Sequence, residues 1–193
     1  MTAELDRELC FGILKEHTKS PSLILHALSV EACVKKYAKK YGEDEIYWGN
    51  VGLLHDFDYE MFPTEAEHPY KGAEILKERG FGTDFIDSIL SHTGYTGVPR
   101  DTLLRKVLFA CDELTGFITA LSYVMPDKDI SRVEPRSVLK KMKDKAFARS
   151  VSRDDIRSGA EILRIPLEEH ILFCVDALTI LHKDLKVQNE QQS

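Results

Sequence analysis

An all-α fold is predicted, a helical bundle with a C-terminal helical extension, and three observations predict it. Apolar residues recur at three- and four-residue spacing over long stretches. The punctuation between those stretches consists of helix caps and helix-ending Gly and Pro. No stretch alternates apolar and polar as a strand would, and no Asn-Gly or Asp-Gly pair offers a hairpin turn.

The elements follow in order. Ser20 and Pro21 form an N-cap and first-turn proline, and SLILHALSVEACVKKYAKKY runs at helical spacing until Gly42 closes it. A second helix is predicted from about Asp44 to Asp56, ending in the apolar VGLLHD. A third starts near Glu65 and ends before Gly80, and a fourth runs from about Thr83 to Ser91. The longest is DTLLRKVLFACDELTGFITALSYV, where Leu104, Val107, Leu108, Cys111, Thr115 and Ile118 form one stripe and Pro126 ends it. Further helices are predicted at Pro135 to Ala148, Arg153 to Leu163 and Pro166 to Leu185, with KVQNEQQS as a frayed tail. The division this suggests is a helical core over residues 1–125 and a C-terminal extension over 126–193, packed on the same domain.

Composition narrows the function. Apolar residues make up 43% of the 193 residues, enough for a core, and the formal net charge is −6. An acidic chain is poorly suited to general nucleic-acid binding, which draws on a basic surface. The first residues, MTAELDRELCFGILKEHTKS, carry charges every few positions, unlike a secretory leader. No stretch is read as a membrane span, so the cytoplasm is the expected compartment. Cys10, Cys33, Cys111 and Cys174 are far apart and form no CxxC, which fits reduced core cysteines. Neither GxGxxG nor GxxxxGK[ST] occurs, so no phosphate cradle of those kinds is present.

Polar residues stand where core helices are apolar. His26 lies within SLILHALSV, His55 and Asp56 end VGLLHD, and Asp112 lies beside the stripe of the longest helix. A buried lone carboxylate costs several kcal/mol, on the order of 3–5, unless it is paired, protonated or metal-bound. One divalent cation held by imidazole nitrogens and carboxylate oxygens would satisfy all four groups.

This ordered set resembles the HD-domain superfamily of metal-dependent phosphohydrolases. That family has an upstream His, an adjacent His-Asp pair and a downstream Asp, each on a different helix. Here they are His26, His55, Asp56 and Asp112, and the likeness covers roughly residues 22–125. The resemblance implies an HD-domain helical bundle. His68, in EHPYKGAEILKERG, and His92, in SILSHTGYTG, match the further histidines of binuclear members. It therefore implies one or two divalent ions per chain (Mn, Fe, Ni, Co, Mg or Zn). His26, His55, Asp56 and Asp112 would hold the first; Asp56, His68 and His92 would hold the second. His17, His170 and His182 read as surface or satisfied histidines.

The chain departs from the family after the His-Asp pair. Relatives often carry an Ile-Gly-Lys-type run or an assisting acid there; this chain has HDFDYEMFP. Asp58 or Glu60 is the candidate acid, with Asp56 and Asp58 taken as catalytic. Basic groups for a phosphate are sought elsewhere. Arg136, Lys140 and Lys143 would share one face of the predicted 135–148 helix, and Lys141, Lys145 and Arg149 another. The loop SHTGYTGVPR offers Thr93, Tyr95, Thr96 and Arg100 as a pocket rim. Lys140, Lys143, Thr96 and Arg100 are the candidate substrate contacts.

The leading expectation is hydrolysis of a small phosphate ester, such as a nucleotide, cyclic nucleotide or other phosphorylated metabolite, through a metal-activated water. The same six-ligand order also occurs in mixed-valent diiron oxygenases of the superfamily, such as those resembling myo-inositol oxygenase. A metal-containing module that senses a ligand without turnover is the third reading. A homodimer is an assembly the resemblance allows; nothing in the sequence maps an interface.

Overall fold

The computed structural model describes Glu4 and residues 6–191. Among them nine α-helices occur, with a 3₁₀ turn at Ile130–Arg132, and no strand. The all-α prediction holds. The helices are α1 (Arg7–His17), α2 (Pro21–Tyr41), α3 (Glu45–Leu54), α4 (Tyr70–Glu78), α5 (Thr83–Leu90), α6 (Leu103–Val124), α7 (Pro135–Lys141), α8 (Arg153–Leu163) and α9 (Leu167–Gln191). Two compact units are present, one up to Phe109 and one from Ala110, so the division falls inside α6. The boundary drawn from sequence, at residue 125, coincides instead with the end of that helix.

The first unit is built around α2 and α3. Asp44 caps α3 by accepting from the backbone N–H groups of Ile46 and Tyr47, and Gly42, at φ +75°, ends α2. Gly52 lets α3 press onto α2: a Cβ there would stand 3.2 Å from the Glu31 backbone. The core between them includes Val30, Cys33, Val34, Val51, Leu53 and Leu54, all fully buried. At about 1.5–3 kcal/mol for each large apolar side chain buried, this packing holds the two helices together. α1 was not anticipated, yet its signals are present. Asp6 accepts from the Leu9 N–H as N-cap, and Cys10, Ile13 and Leu14 form a buried i, i+3, i+4 stripe.

Two local ties fix the chain that follows α3. Thr18 Oγ1 donates to the Phe57 carbonyl at 2.8 Å, a buried bond. Glu60 accepts from the N–H groups of Lys19 (2.7 Å) and Ser20 (3.0 Å). The HDFDYE turn is thereby held against the α1–α2 linker.

In the second unit α9 packs on α7, on α8 and on the 3₁₀ turn at Ile130–Arg132. His170 is fully buried and donates from Nε2 to the Ala110 carbonyl at 2.8 Å. The helix predicted over 135–148 stops at Lys141. Arg153 donates to the carbonyls of Asp144, Phe147, Ala148 and Val151, which holds the irregular chain beyond Lys141. The tail predicted to fray is helical to Gln191.

α6 corrects one expectation. It is long and apolar enough to cross a membrane, because from Val107 to Val124 only Asp112 and Glu113 are charged. Its apolar window is 61% buried, as in the core helix of a globular domain. All four cysteines are buried.

Candidate metal centre

The first unit gathers four of the predicted ligands, all histidines, around a fifth, the Asp56 carboxylate. His26 comes from the interior of α2, and His55 and Asp56 follow directly on α3. His68 lies two residues before α4, and His92 two residues after α5. The third helix was predicted to begin near Glu65. It begins at Tyr70 because Pro69 disfavours helical backbone at the residue before it.

Asp56 divides these imidazoles between its two oxygens. Its Oδ2 stands 3.4 Å from His55 Nε2 and 3.8 Å from His26 Nε2. Its Oδ1 stands 3.2 Å from both His68 Nε2 and His92 Nε2. Within each pair the Nε2 atoms face one another at 3.2 Å. The Asp56 side chain is 22% exposed and that of His26 21%, whereas His55, His68 and His92 are buried. Water therefore reaches the centre past Asp56 and His26.

The far side of each buried ring sets its tautomer. His55 Nδ1 is 2.8 Å from the Gly52 carbonyl, and His92 Nδ1 is 2.7 Å from the Ile89 carbonyl. A carbonyl only accepts, so each Nδ1 carries the proton. His68 Nδ1 donates to Asp58 Oδ1 at 2.8 Å. In the neutral rings every Nε2 then turns a lone pair towards Asp56. Lone pairs converging at 3.2 Å repel unless a cation stands between them.

The titration behaviour reflects that demand. Burial alone would push the Asp56 carboxyl up, but His55, His68 and His92 outweigh it and hold it well below the usual carboxylate range. Burial alone would lower His68, but hydrogen bonds to Asp56 and Asp58 prevail and raise it to about 9. In the metal-free protein a proton does at His68 what a cation would do.

A divalent ion fits this donor set. Ligand atoms bound at about 2.1 Å to one ion stand roughly 3.0–3.4 Å apart by geometry. The observed separations of 3.2–3.8 Å match that spacing with little adjustment. Asp56, His68 and His92 form one compact group, and His26 and His55 meet the other oxygen of Asp56.

The other candidates have the following settings. Asp112 stands on α6 in the second unit, half-buried. Asp58 is 1% exposed and both its oxygens are engaged: Oδ1 by His68, and Oδ2 by the Gly72 N–H at 2.7 Å. Gly72 permits that bond, since a Cβ there would stand 2.8 Å from the Asp58 carboxyl carbon. Asp58 thus backs His68, and no sequence motif marks the pairing. Glu60 is bound to backbone N–H groups. Thr96 Oγ1 donates to the Leu90 carbonyl at 2.8 Å, and Arg100 to those of Ser91 (2.8 Å) and His92 (3.1 Å). Lys140 and Lys143 are exposed on the second unit, and Lys143 lies beyond the end of α7.

A helical domain that converges imidazoles on one shared carboxylate defines a His/Asp metal-binding class. Residues 23–116 match the family model of the HD domain. The chain carries an HD domain there, in the superfamily its sequence resembles. No solved structure matches the chain.

Proposed function

We propose that the protein is a metal-dependent phosphohydrolase acting on a small phosphate ester. The observation that carries this reading is the division of Asp56, one oxygen towards His26 and His55 and the other towards His68 and His92. A carboxylate so placed can bridge two ions. By the family pattern Asp112 completes the first set, with His26, His55 and Asp56; Asp56, His68 and His92 form the second. Divalent ions held there supply a bound water of lowered pKa and positive charge opposite a phosphoryl group. The protein's own part is orientation. Gly52, Asp58 and Ile89 fix three rings so that their Nε2 atoms face inward. The partial exposure of Asp56 and His26 leaves that edge open to a polar substrate and to water.

The HD fold and the His/Asp cluster support hydrolase-type metal chemistry in general; the phosphate ester is the finer step. The test is phosphate release from nucleotides, cyclic nucleotides, sugar phosphates and an aryl phosphate, each with Mn, Co, Ni, Mg and anaerobic Fe(II). Metal-dependent release from at least one compound is expected, falling to background in Asp56→Ala. A protein that holds stoichiometric metal and releases phosphate from none of them overturns the proposal. Oxygen uptake and ligand binding without turnover then become the measurements to make.

A further inference from the structure

The segment Thr93–Arg100 sends its hydrogen bonds to a narrow set of places. Tyr95 donates its hydroxyl to the His68 carbonyl at 3.1 Å. Arg100 donates from Nε to the Ser91 carbonyl at 2.8 Å and from Nη2 to the His92 carbonyl at 3.1 Å. Thr96 Oγ1 donates to the carbonyls of Leu90 (2.8 Å) and Thr93 (3.2 Å), closing the turn on itself. The Arg100 guanidinium lies 3.6 Å from the Phe109 ring centroid, which holds the arginine in place. Tyr70, the first residue of α4, reaches the Tyr95 carbonyl at 3.5 Å and braces the loop from the other side.

The targets are the peptide groups of His68 and His92 and the last turn of α5. These two histidines lie outside the α-helices: single turn bonds hold their N–H groups, His68 to the Thr64 carbonyl at 2.8 Å and His92 to the Ile89 carbonyl at 3.1 Å, and their carbonyls go to the loop. They come from segments 24 residues apart, yet their Nε2 atoms meet at 3.2 Å. Those turn bonds are local to each segment, and this loop is bonded to both.

We infer that the Thr93–Arg100 loop is a clamp that positions His68 and His92, and that it governs the affinity of the second ion without acting on the first. The inference rests on the two-ion reading above. Tyr95 and Arg100 are positioning residues: they touch the ligands' backbone and not their ring nitrogens. A metal ligand must be held to within about 0.5 Å to keep its bond, so a loosened peptide at His68 reads out as weaker binding at that ion alone. Loss of one hydrogen bond of about 1 kcal/mol corresponds to roughly three- to tenfold in affinity.

Cobalt(II) titration of the metal-free chain, followed by absorbance and calorimetry, tests this. Two equivalents are expected for the unmodified protein. Tyr95→Phe should leave the first within about twofold and weaken the second about three- to tenfold. Tyr47→Phe is the control, since it also removes a tyrosine hydroxyl bond, the one to Asp84 at 3.3 Å. It should move neither equivalent. Equal weakening of both equivalents in Tyr95→Phe, no weakening, or the same change in Tyr47→Phe would each overturn the clamp. Uptake of a single equivalent by the unmodified protein removes the two-ion reading itself, and the clamp with it.

Discussion

The two sides of Asp56 are built by different means. On the Oδ2 side, His26 projects from the middle of a 21-residue helix, and His55 follows the last residue of α3 with Nδ1 on that helix's own Gly52 carbonyl. On the Oδ1 side, His68 and His92 lie outside the α-helices; His92 Nδ1 rests on the Ile89 carbonyl of α5 much as His55 does on Gly52, but His68 leans on Asp58, and the carbonyls of both take bonds from Tyr95 and Arg100. The first side inherits its geometry from helix packing, where α3 meets α2 at Gly52. The second adds to its local turns several side-chain hydrogen bonds, each removable by itself. A side-chain change can therefore be expected to act on one side of the centre and spare the other.

Asp58→Asn should break the comparison most sharply. The amide keeps the shape but loses the negative charge, and Asp58 is the hydrogen-bond acceptor for the His68 Nδ1 proton. Loss of such an outer partner typically costs about 10–100-fold in metal affinity. The second equivalent of cobalt should weaken by that factor while the first stays near its original value. Equal loss at both equivalents would show that the two sides are not independent.

The pH dependence sharpens the same distinction. His68 in the metal-free protein is raised to about 9, above its unfolded value of 6.5. A raised histidine contributes stability that is fully present below the unfolded pKa and lost as pH climbs through the folded one. The metal-free protein should thus lose stability between about pH 6.5 and 9, by up to about 3 kcal/mol. Asp56 is shifted the other way, so its contribution is present above about pH 4 and lost as pH falls further. Metal at the second position must displace the His68 proton, so binding there should strengthen as pH rises towards 9. Denaturant unfolding of the metal-free chain at pH 6, 7.5 and 9, repeated in Asp58→Asn, checks this. A flat profile in the unmodified protein, or an unchanged slope in the variant, would falsify the assignment to His68.

How much of this was legible in the sequence follows the same division. His26 and the His55-Asp56 pair declare themselves because they interrupt apolar periodicity, a signal that regular helices make readable. Asp112 stands out in the same way within α6. His68 and His92 interrupt nothing, and only the ordered family pattern points to them. The role of Asp58 was out of reach. The sequence shows an acid near the His-Asp pair, but its pairing with His68 ten residues on arises from how the turn folds back. Thr96 and Arg100 were legible as polar residues of one loop, and their partners turn out to be backbone carbonyls. The basic stretch differs from its periodicity, which suits a helix to residue 148: the helix stops at Lys141, and Arg153, further along the chain, holds the segment beyond it through the carbonyls of Asp144, Phe147, Ala148 and Val151.

The smallest effect should come from a contact that serves both sides together. Thr18 Oγ1 bonds the Phe57 carbonyl, one residue past Asp56, in a fully buried setting. Thr18→Val keeps the shape and removes the hydroxyl, leaving that carbonyl short of one donor. The cost is about 1–2 kcal/mol of stability, a few degrees in melting temperature for a chain of this size. Because the bond fixes the turn that carries Asp56, any drift should reach both oxygens at once. The two cobalt equivalents should weaken together, each by no more than about threefold. Selective weakening of the second equivalent in Thr18→Val would place Thr18 with the loop-built side and move the boundary between the two kinds of construction to the far side of Asp56.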